Sequence, residues 1–139
     1  VNTPVIHFDL IIILSAVLAV AGHTASPFAG FKGGKGVATT CGVFLVLALY
    51  PTLISLAVFA SIMAVTRVVS LASISAACVM PFVALFFQLK SADFSLSIFL
   101  FISGLCFLVI FKHRTNLKRL KDGTESKLKA PQKNESDNK

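Results

Sequence analysis

Apolar blocks dominate the chain and are separated by short polar links. The first block covers residues 8–22 and ends at the pair Gly22-His23. A polar, glycine-rich stretch, 24–36, follows and carries Lys32 and Lys35. Residues 37–66 then hold no charged side chain, a run longer than the roughly twenty residues one bilayer crossing needs. Pro51 interrupts that run. Proline lacks an amide donor and clashes with the preceding turn, so the pattern predicts two short helices, 37–50 and 52–66, folded as a hairpin. One long kinked helix is the alternative. A block at 70–89, a link at 90–95 and a last block at 96–111 complete the series. From residue 112 the chain is polar, and it is expected to fray beyond Leu128.

The five blocks predict an all-α integral membrane protein. The expected architecture is a polytopic bundle of about five transmembrane helices over residues 1–111, with loops 22–39 and 67–74 at its surface, followed by a basic tail, 112–139. Composition agrees. Hydrophobic residues make up 55% of the 139 positions and charged residues 14%, against about 25% charged in a soluble domain. The mean hydropathy is +0.84. Disorder of the whole chain is excluded, because disorder needs low hydrophobicity. Cys41, Cys78 and Cys106 lie far apart in apolar runs, so they read as buried small hydrophobes and not as a metal motif.

Charge sets the orientation. Residues 1–111 hold four basic side chains, Lys32, Lys35, Arg67 and Lys90, and two acidic ones, Asp9 and Asp93; residues 112–139 hold nine basic and four acidic. With five crossings, Lys32, Lys35 and Arg67 fall on the side of the tail, and Lys90, beside Asp93, falls opposite. Four crossings would move Arg67 to the poor side. The positive-inside tendency then makes the tail and the site loops cytoplasmic, in a multi-pass protein of the cell (inner) membrane, where the tail also meets anionic headgroups. Both hairpin helices are short for a span and need local thinning or burial among neighbours. The isoelectric point of 9.7 also raises nucleic-acid binding, but no groove-reading helix or aromatic platform accompanies the tail. The chain starts at Val1 without a basic region ahead of Leu10, so no signal peptide is read there; a processed or truncated product is one reading of that start.

Polar groups near membrane depth are functional candidates, because lipid leaves them unsatisfied. Three clusters qualify. The first runs from Gly22-His23 to Thr39-Thr40 around Lys32-Gly33-Gly34-Lys35-Gly36. Glycines expose backbone N–H groups, two lysines add charge, and the helix that follows aims its positive end at the same place. That combination suits a phosphate, although the spacing is not that of a Walker A loop. An ordinary interfacial loop is the plainer reading. The second cluster is Arg67-Val68-Val69-Ser70-Leu71-Ala72-Ser73, where Ser70 is either an N-cap or a phosphate donor, and Ser73 either a packing hydroxyl or a donor. The third is Lys112-His113-Arg114-Thr115-Asn116-Leu117-Lys118-Arg119-Leu120. A basic surface helix explains its lysines and arginines. It does not explain His113 and Asn116, which share one helical face. Five crossings bring all three clusters to one side. No pair of carboxylates joins them, since Asp9 and Asp93 lie opposite and Asp122 and Glu125 belong to the tail; a carboxylate-driven hydrolase is therefore not expected.

In these residues the chain resembles the bacterial PlsY family, acyl-phosphate:glycerol-3-phosphate acyltransferases. Gly22-His23, Pro27-Phe28 and Gly30-Phe31-Lys32-Gly33-Gly34-Lys35-Gly36-Val37-Ala38-Thr39 are similar to its second motif. Val69-Ser70-Leu71-Ala72-Ser73-Ile74 is similar to a further segment, and His113-Arg114-Thr115-Asn116 through Gly123-Thr124-Glu125 to its C-terminal motif. The resemblance runs from about residue 8 to 128. It implies the last five helices of a seven-helix fold, with the family's opening Ser-Gly-Asn motif unmatched, so an N-terminally incomplete chain is expected. The implied reaction moves an acyl group from acyl-phosphate to the 1-hydroxyl of glycerol-3-phosphate, giving lysophosphatidic acid and phosphate, with no cofactor and no metal. The implied partners are those two substrates and membrane lipid. The implied catalytic residues are His113 and Asn116. The implied substrate-binding residues are His23, Lys32, Gly33, Gly34, Lys35, Gly36, Ser70, Ser73 and Arg114. His113 or a substrate phosphate oxygen would take the proton. Phe44, Phe59, Phe82 and Phe86 read as acyl-path or packing residues. A carrier or binding protein for a phosphorylated solute is the competing class, and an inactive incomplete family member a third.

Overall fold

A computed structural model describes residues 5–25, 34–91 and 95–128, with side chains from Leu10 onward. The described residues form six helices and no strand: α1 (Val5–Thr24), α2 (Val37–Leu47), α3 (Leu49–Thr66), α4 (Val69–Lys90), α5 (Leu96–Lys112) and α6 (Arg114–Lys121). The expected fraying beyond Leu128 and the Asp93 side of the link at 90–95 lie outside these residues.

The uncharged run 37–66 does split into two helices, but Ala48, not Pro51, is the break. Ala48 sits at φ −151° and ψ 67°, outside the helical region. Its carbonyl accepts both the Thr52 amide at 3.0 Å and the Thr52 hydroxyl at 2.7 Å. Pro51 is the third residue of α3. Amides of a first turn have no intrahelical acceptor, so a proline there loses nothing. The expectation of a helix ending at Tyr50 is corrected for that reason. The hairpin itself holds. Val37, Cys41 and Phe44 of α2 line one cavity with Ser55, Leu56 and Phe59 of α3, and Lys35 before α2 meets Ser70 after α3 at one end. The chain reverses at Ala48.

Successive helices therefore alternate toward and away from the end that holds Lys35. α3 packs along α4, and α4 along α5, with α2 bridging α1, α3 and α5. Small side chains make the close contacts: Ala72, Ser73, Ala77 and Ala84 of α4 are buried, as expected where lipid-embedded helices gain by backbone approach. Val20, Phe44, Met80, Ile102, Leu105, Cys106 and Val109 complete the core. The outside is equally apolar. Val46, Val65 and Phe82 are 85%, 86% and 75% exposed, which suits lipid and not water. By length and hydropathy α3 and α4 are long enough to cross a membrane, and α5 with α6 makes a third span if the pair is counted as one bent element. α2 is too short to cross alone, having 11 residues where a span needs about 20. Cys106 is buried and Cys41 half-buried, but Cys78 is exposed on the outer face of α4, so the reading of all three thiols as buried is corrected for Cys78. In an apolar solvent a small hydrophobe has no reason to turn inward.

Candidate functional site

One cavity of about 570 Å³ gathers the three polar clusters. Lys35 enters it from the turn before α2, Ser70 and Ser73 from the first two turns of α4, and His113 and Asn116 from the α5–α6 junction. Ser70, Ser73, His113 and Asn116 are all buried. Each needs its own local device to get there.

Lys35 is placed by Gly36, which takes φ 75° immediately before α2. A Cβ at Gly36 would stand 2.9 Å from Thr24 Cγ2. The Thr24 side chain is held in turn, its hydroxyl donating to the Val20 carbonyl at 2.9 Å. Position 36 thus needs glycine twice, for its left-handed backbone and for the approach of α1. Ser70 follows a sharp reversal at Arg67, which adopts φ 56°. Val68 is the N-cap of α4, so Ser70 is not a cap and its hydroxyl is free to reach across the cavity. His113 sits where α5 and α6 bend by 53°. Its Nδ1 lies 2.8 Å from the Val109 carbonyl. A carbonyl only accepts, so Nδ1 carries the proton, and in the neutral ring Nε2 keeps the lone pair.

Lys35, Ser70 and Asn116 are tied together through Glu125. Lys35 Nζ donates to Asn116 Oδ1 at 2.6 Å, and Asn116 Nδ2 donates to Glu125 Oε1 at 2.5 Å. The Ser70 hydroxyl donates to the same Oε1 at 2.7 Å. Arg119 Nε donates to Oε2 at 2.7 Å in an ion pair whose carboxylate side chain is only 7% exposed. Hydrogen bonds from Asn116, Ser70 and Arg119 hold the Glu125 carboxyl down to about 2 from its usual 4.5. Three donors on one carboxylate favour the ionised form. One buried anion therefore fixes Asn116, and through it Lys35, against the start of α4.

The sequence reading placed Glu125 in the tail, at the end of the C-terminal motif, and gave it no site role; the structure gives it one. The turn after α6 is responsible. Gly123 at φ 68° donates to the Leu120 carbonyl at 3.2 Å, and Thr124 donates to the Arg119 carbonyl at 2.8 Å. This is a Schellman turn, which reverses the chain at a glycine. Gly123 after a lysine- and arginine-rich helix was the available signal. The turn sends residues 124–128 back over the cavity, where the Leu128 amide donates to the Arg67 carbonyl at 2.8 Å.

Other expected site residues are placed differently. His23 is exposed, and its Nε2 would lie 3.1 Å from a Cβ at Gly34; it packs on the glycine turn without lining the cavity. Arg114 is exposed on the outer side of α6, its guanidinium 4.7 Å over the Phe111 ring. Lys32 and Gly33 lie outside the described residues. An apolar slot of about 80 Å³ continues from the cavity, sharing Val37, Cys41, Leu56, Phe59 and Ser73 with it. Phe44 and Phe59 line that slot, whereas Phe82 and Phe86 are exposed on α4. No cluster of metal-ligating side chains occurs among the described residues.

The sequence profile described as "Glycerol-3-phosphate acyltransferase" matches residues 2–123. The chain belongs to that family. Proteins of this name that it is similar to include one from Fusobacterium nucleatum, 44% identical over 124 residues, which are 89% of this chain and 60% of that one. Another, from Trichlorobacter lovleyi, is 49% identical over 81% of this chain and 55% of its own length. The chain thus spans little more than half the length of the curated relatives it matches. Its fold is similar to the crystal structure of PlsY described as an integral membrane glycerol 3-phosphate acyltransferase in the glycerol 3-phosphate form, with a TM-score of 0.67 and 29% identity over 89% of this chain and 70% of that one. The lysophosphatidic acid form of the same enzyme gives a TM-score of 0.67 at 31% identity, covering 87% and 68%. The acyltransferase family likeness and the membrane bundle expected from the sequence agree.

Proposed function

We propose that this chain carries the acceptor and phosphate site of an acyl-phosphate-dependent glycerol-3-phosphate acyltransferase of phospholipid synthesis. The observation that carries the reading is the single cavity in which Lys35, Ser70, Ser73, His113 and Asn116 meet, opening into an apolar slot. The reaction asks for those parts. Acyl-phosphate is already activated, so the protein has only to neutralise phosphate, align hydroxyl with carbonyl and shelter the start of an acyl chain.

In this mechanism the glycerol 1-hydroxyl oxygen attacks the acyl carbonyl carbon. The carbon–oxygen bond to phosphate breaks, phosphate leaves, and the hydroxyl proton passes to His113 Nε2 or to a phosphate oxygen. Lys35 meets phosphate charge, with Lys32 and the amides of Gly33, Gly34 and Gly36 around it. Ser70 and Ser73 donate to phosphate or glycerol oxygens. Asn116 positions the acceptor or the developing oxyanion, and the acyl chain starts between Val37, Leu56 and Phe59. His23 supports the glycine turn from outside the cavity, and Arg114 stands on the outer side of α6 against Phe111. Residues 1–111 act as the membrane bundle, the last five helices of a seven-helix fold, and 112–139 as a basic tail. The tail and the site loops face the cytoplasm at the inner membrane, with positive charge concentrated on that side in support.

The test is phosphate release by the purified chain in micelles. The reading predicts release that depends on both acyl-phosphate and glycerol 3-phosphate, with lysophosphatidic acid formed one for one. Uptake of glycerol 3-phosphate into liposomes without phosphate release would replace it with a carrier.

A further inference from the structure

Residues 124–128 are tied at two points, and Lys127 lies between them. Glu125 is held by Ser70, Asn116 and Arg119, and the Leu128 amide by the Arg67 carbonyl. Only Ser126 and Lys127 separate the ties. The Lys127 backbone is therefore fixed at the rim of the cavity, and its side chain is part of the lining.

The other cationic side chains beside the cavity already have acceptors. Arg119 is paired with Glu125, and Lys35 donates to Asn116. Among the described residues that line the cavity, Lys127 is the cation without a side-chain acceptor. Its four-carbon stem remains exposed and keeps the freedom to follow a ligand. The apolar slot fixes which ligand. The slot and the cavity share Val37, Cys41, Leu56, Phe59 and Ser73, so an acyl carbonyl belongs at that junction. Lys127 lines the cavity and not the slot.

We propose that Lys127 binds the phosphate of the acceptor, glycerol 3-phosphate, in the part of the cavity that the acyl slot does not share. The inference rests on the acyltransferase reading for the identity of the acceptor, but it concerns binding alone. A phosphate brought in beside Lys35 and Lys127 meets charge from two walls, one from the glycine turn and one from the folded-back tail. Coulomb attraction at such a rim is intermediate between bulk water and a dry interior.

The experiment is equilibrium binding of glycerol 3-phosphate, without acyl-phosphate, to the whole chain in micelles by calorimetry, with glycerol as the phosphate-free probe. Lys127→Ala is expected to weaken binding about tenfold, near 1.4 kcal/mol, and Lys127→Arg to restore it to within about threefold. The salt dependence of binding flattens in Lys127→Ala, because one ion contact is gone. Lys121→Ala, on the far side of α6, leaves binding unchanged. Binding by Lys127→Ala within twofold of the unaltered chain overturns the proposal, as does equal affinity for glycerol, or no glycerol 3-phosphate binding by the unaltered chain. Phosphate release is measured in parallel. Binding that depends on Lys127 without any acyl transfer leaves the Lys127 site standing and removes the enzymatic reading.

Discussion

The two walls of the cavity are built by opposite means. On the α1–α2 side the work is done by absence of side chains: Gly34 and Gly36 let the turn press against His23 and Thr24, and Lys35 is delivered by backbone shape. On the α5–α6 side it is done chiefly by side chains: once the turn at Gly123 has brought Glu125 back, Asn116, Arg119 and Ser70 of α4 converge on its carboxylate. The first wall fails by strain. The second fails by loss of a common acceptor, so a single change there disturbs three groups at once. Among the described residues, the Lys35 to Asn116 hydrogen bond at 2.6 Å is the polar link between the two.

The sharpest way to break the contrast is Glu125→Ala. Ser70, Asn116 and Arg119 lose their acceptor together, and the buried Ser70 and Asn116 donors left unpaired are destabilising. Turnover is expected to fall below detection, with a lower unfolding temperature, and even Glu125→Gln should retain little activity because the charge is gone. Acid does the same reversibly. The folded carboxyl is held at about 2 against the usual 4.5. The unfolded chain therefore binds this proton first as pH falls, and the stabilisation present above 4.5 is lost between 4.5 and about 2. Thermal unfolding scans of wild type and Glu125→Gln should converge across that window. Parallel curves from pH 5 to pH 2 would separate Glu125 from acid stability.

Asn116→Ala is expected to act next most strongly. It cuts the link between the walls but leaves Glu125 with Ser70 and Arg119. Loss of one well-placed donor at a reacting centre lowers kcat by about 10²–10³, and here the unfolding temperature should move much less than in Glu125→Ala. A variant with full kcat and a low unfolding temperature would make Asn116 a structural residue only.

Gly36→Ala tests the other wall. A left-handed non-glycine residue costs about 1–2 kcal/mol, and Thr24 has little room to retreat because its hydroxyl is tied to Val20. A drop of several degrees in unfolding temperature is expected. Gly34→Ala should cost less. Its Cβ meets the ring of an exposed histidine at 3.1 Å, and that side chain can swing away. Equal losses from the two substitutions would mean that the turn is limited by something other than Thr24.

The same difference governs what could be read beforehand. Helix blocks, the hairpin and the shared face of His113 and Asn116 follow from hydrophobic pattern and helical period. The glycine turn was legible as composition. The break at Ala48 was not, because a proline in a first turn and a proline that ends a helix look alike until the upstream residue is seen to leave the helical region. Glu125 was legible as part of the C-terminal motif, but its role as a shared acceptor was not, because charge in a polar tail gives no period to follow. Its position depends on the reversal at Gly123 two residues before it, and its partners on Ser70, 55 residues away in sequence. Local rules thus recovered the wall made of backbone and half of the wall made of side chains.

The smallest effect is expected at Arg114, and it sharpens the comparison from the outside. His113 and Asn116 are three apart and face the cavity, while Arg114, one step around α6, stacks on Phe111 in the open. Its contact with the Phe111 carbonyl is long, at 3.5 Å, and an exposed cation over a ring is worth about 0.5–1 kcal/mol. Arg114→Ala should therefore lower stability slightly and change KM for glycerol 3-phosphate by less than about twofold, which steady-state phosphate release measures directly. A tenfold rise in KM with kcat intact would require the guanidinium to leave Phe111 and reach the cavity when substrate is bound. The cationic wall would then extend around the outside of α6, and the division between a backbone wall and a side-chain wall would no longer describe the site.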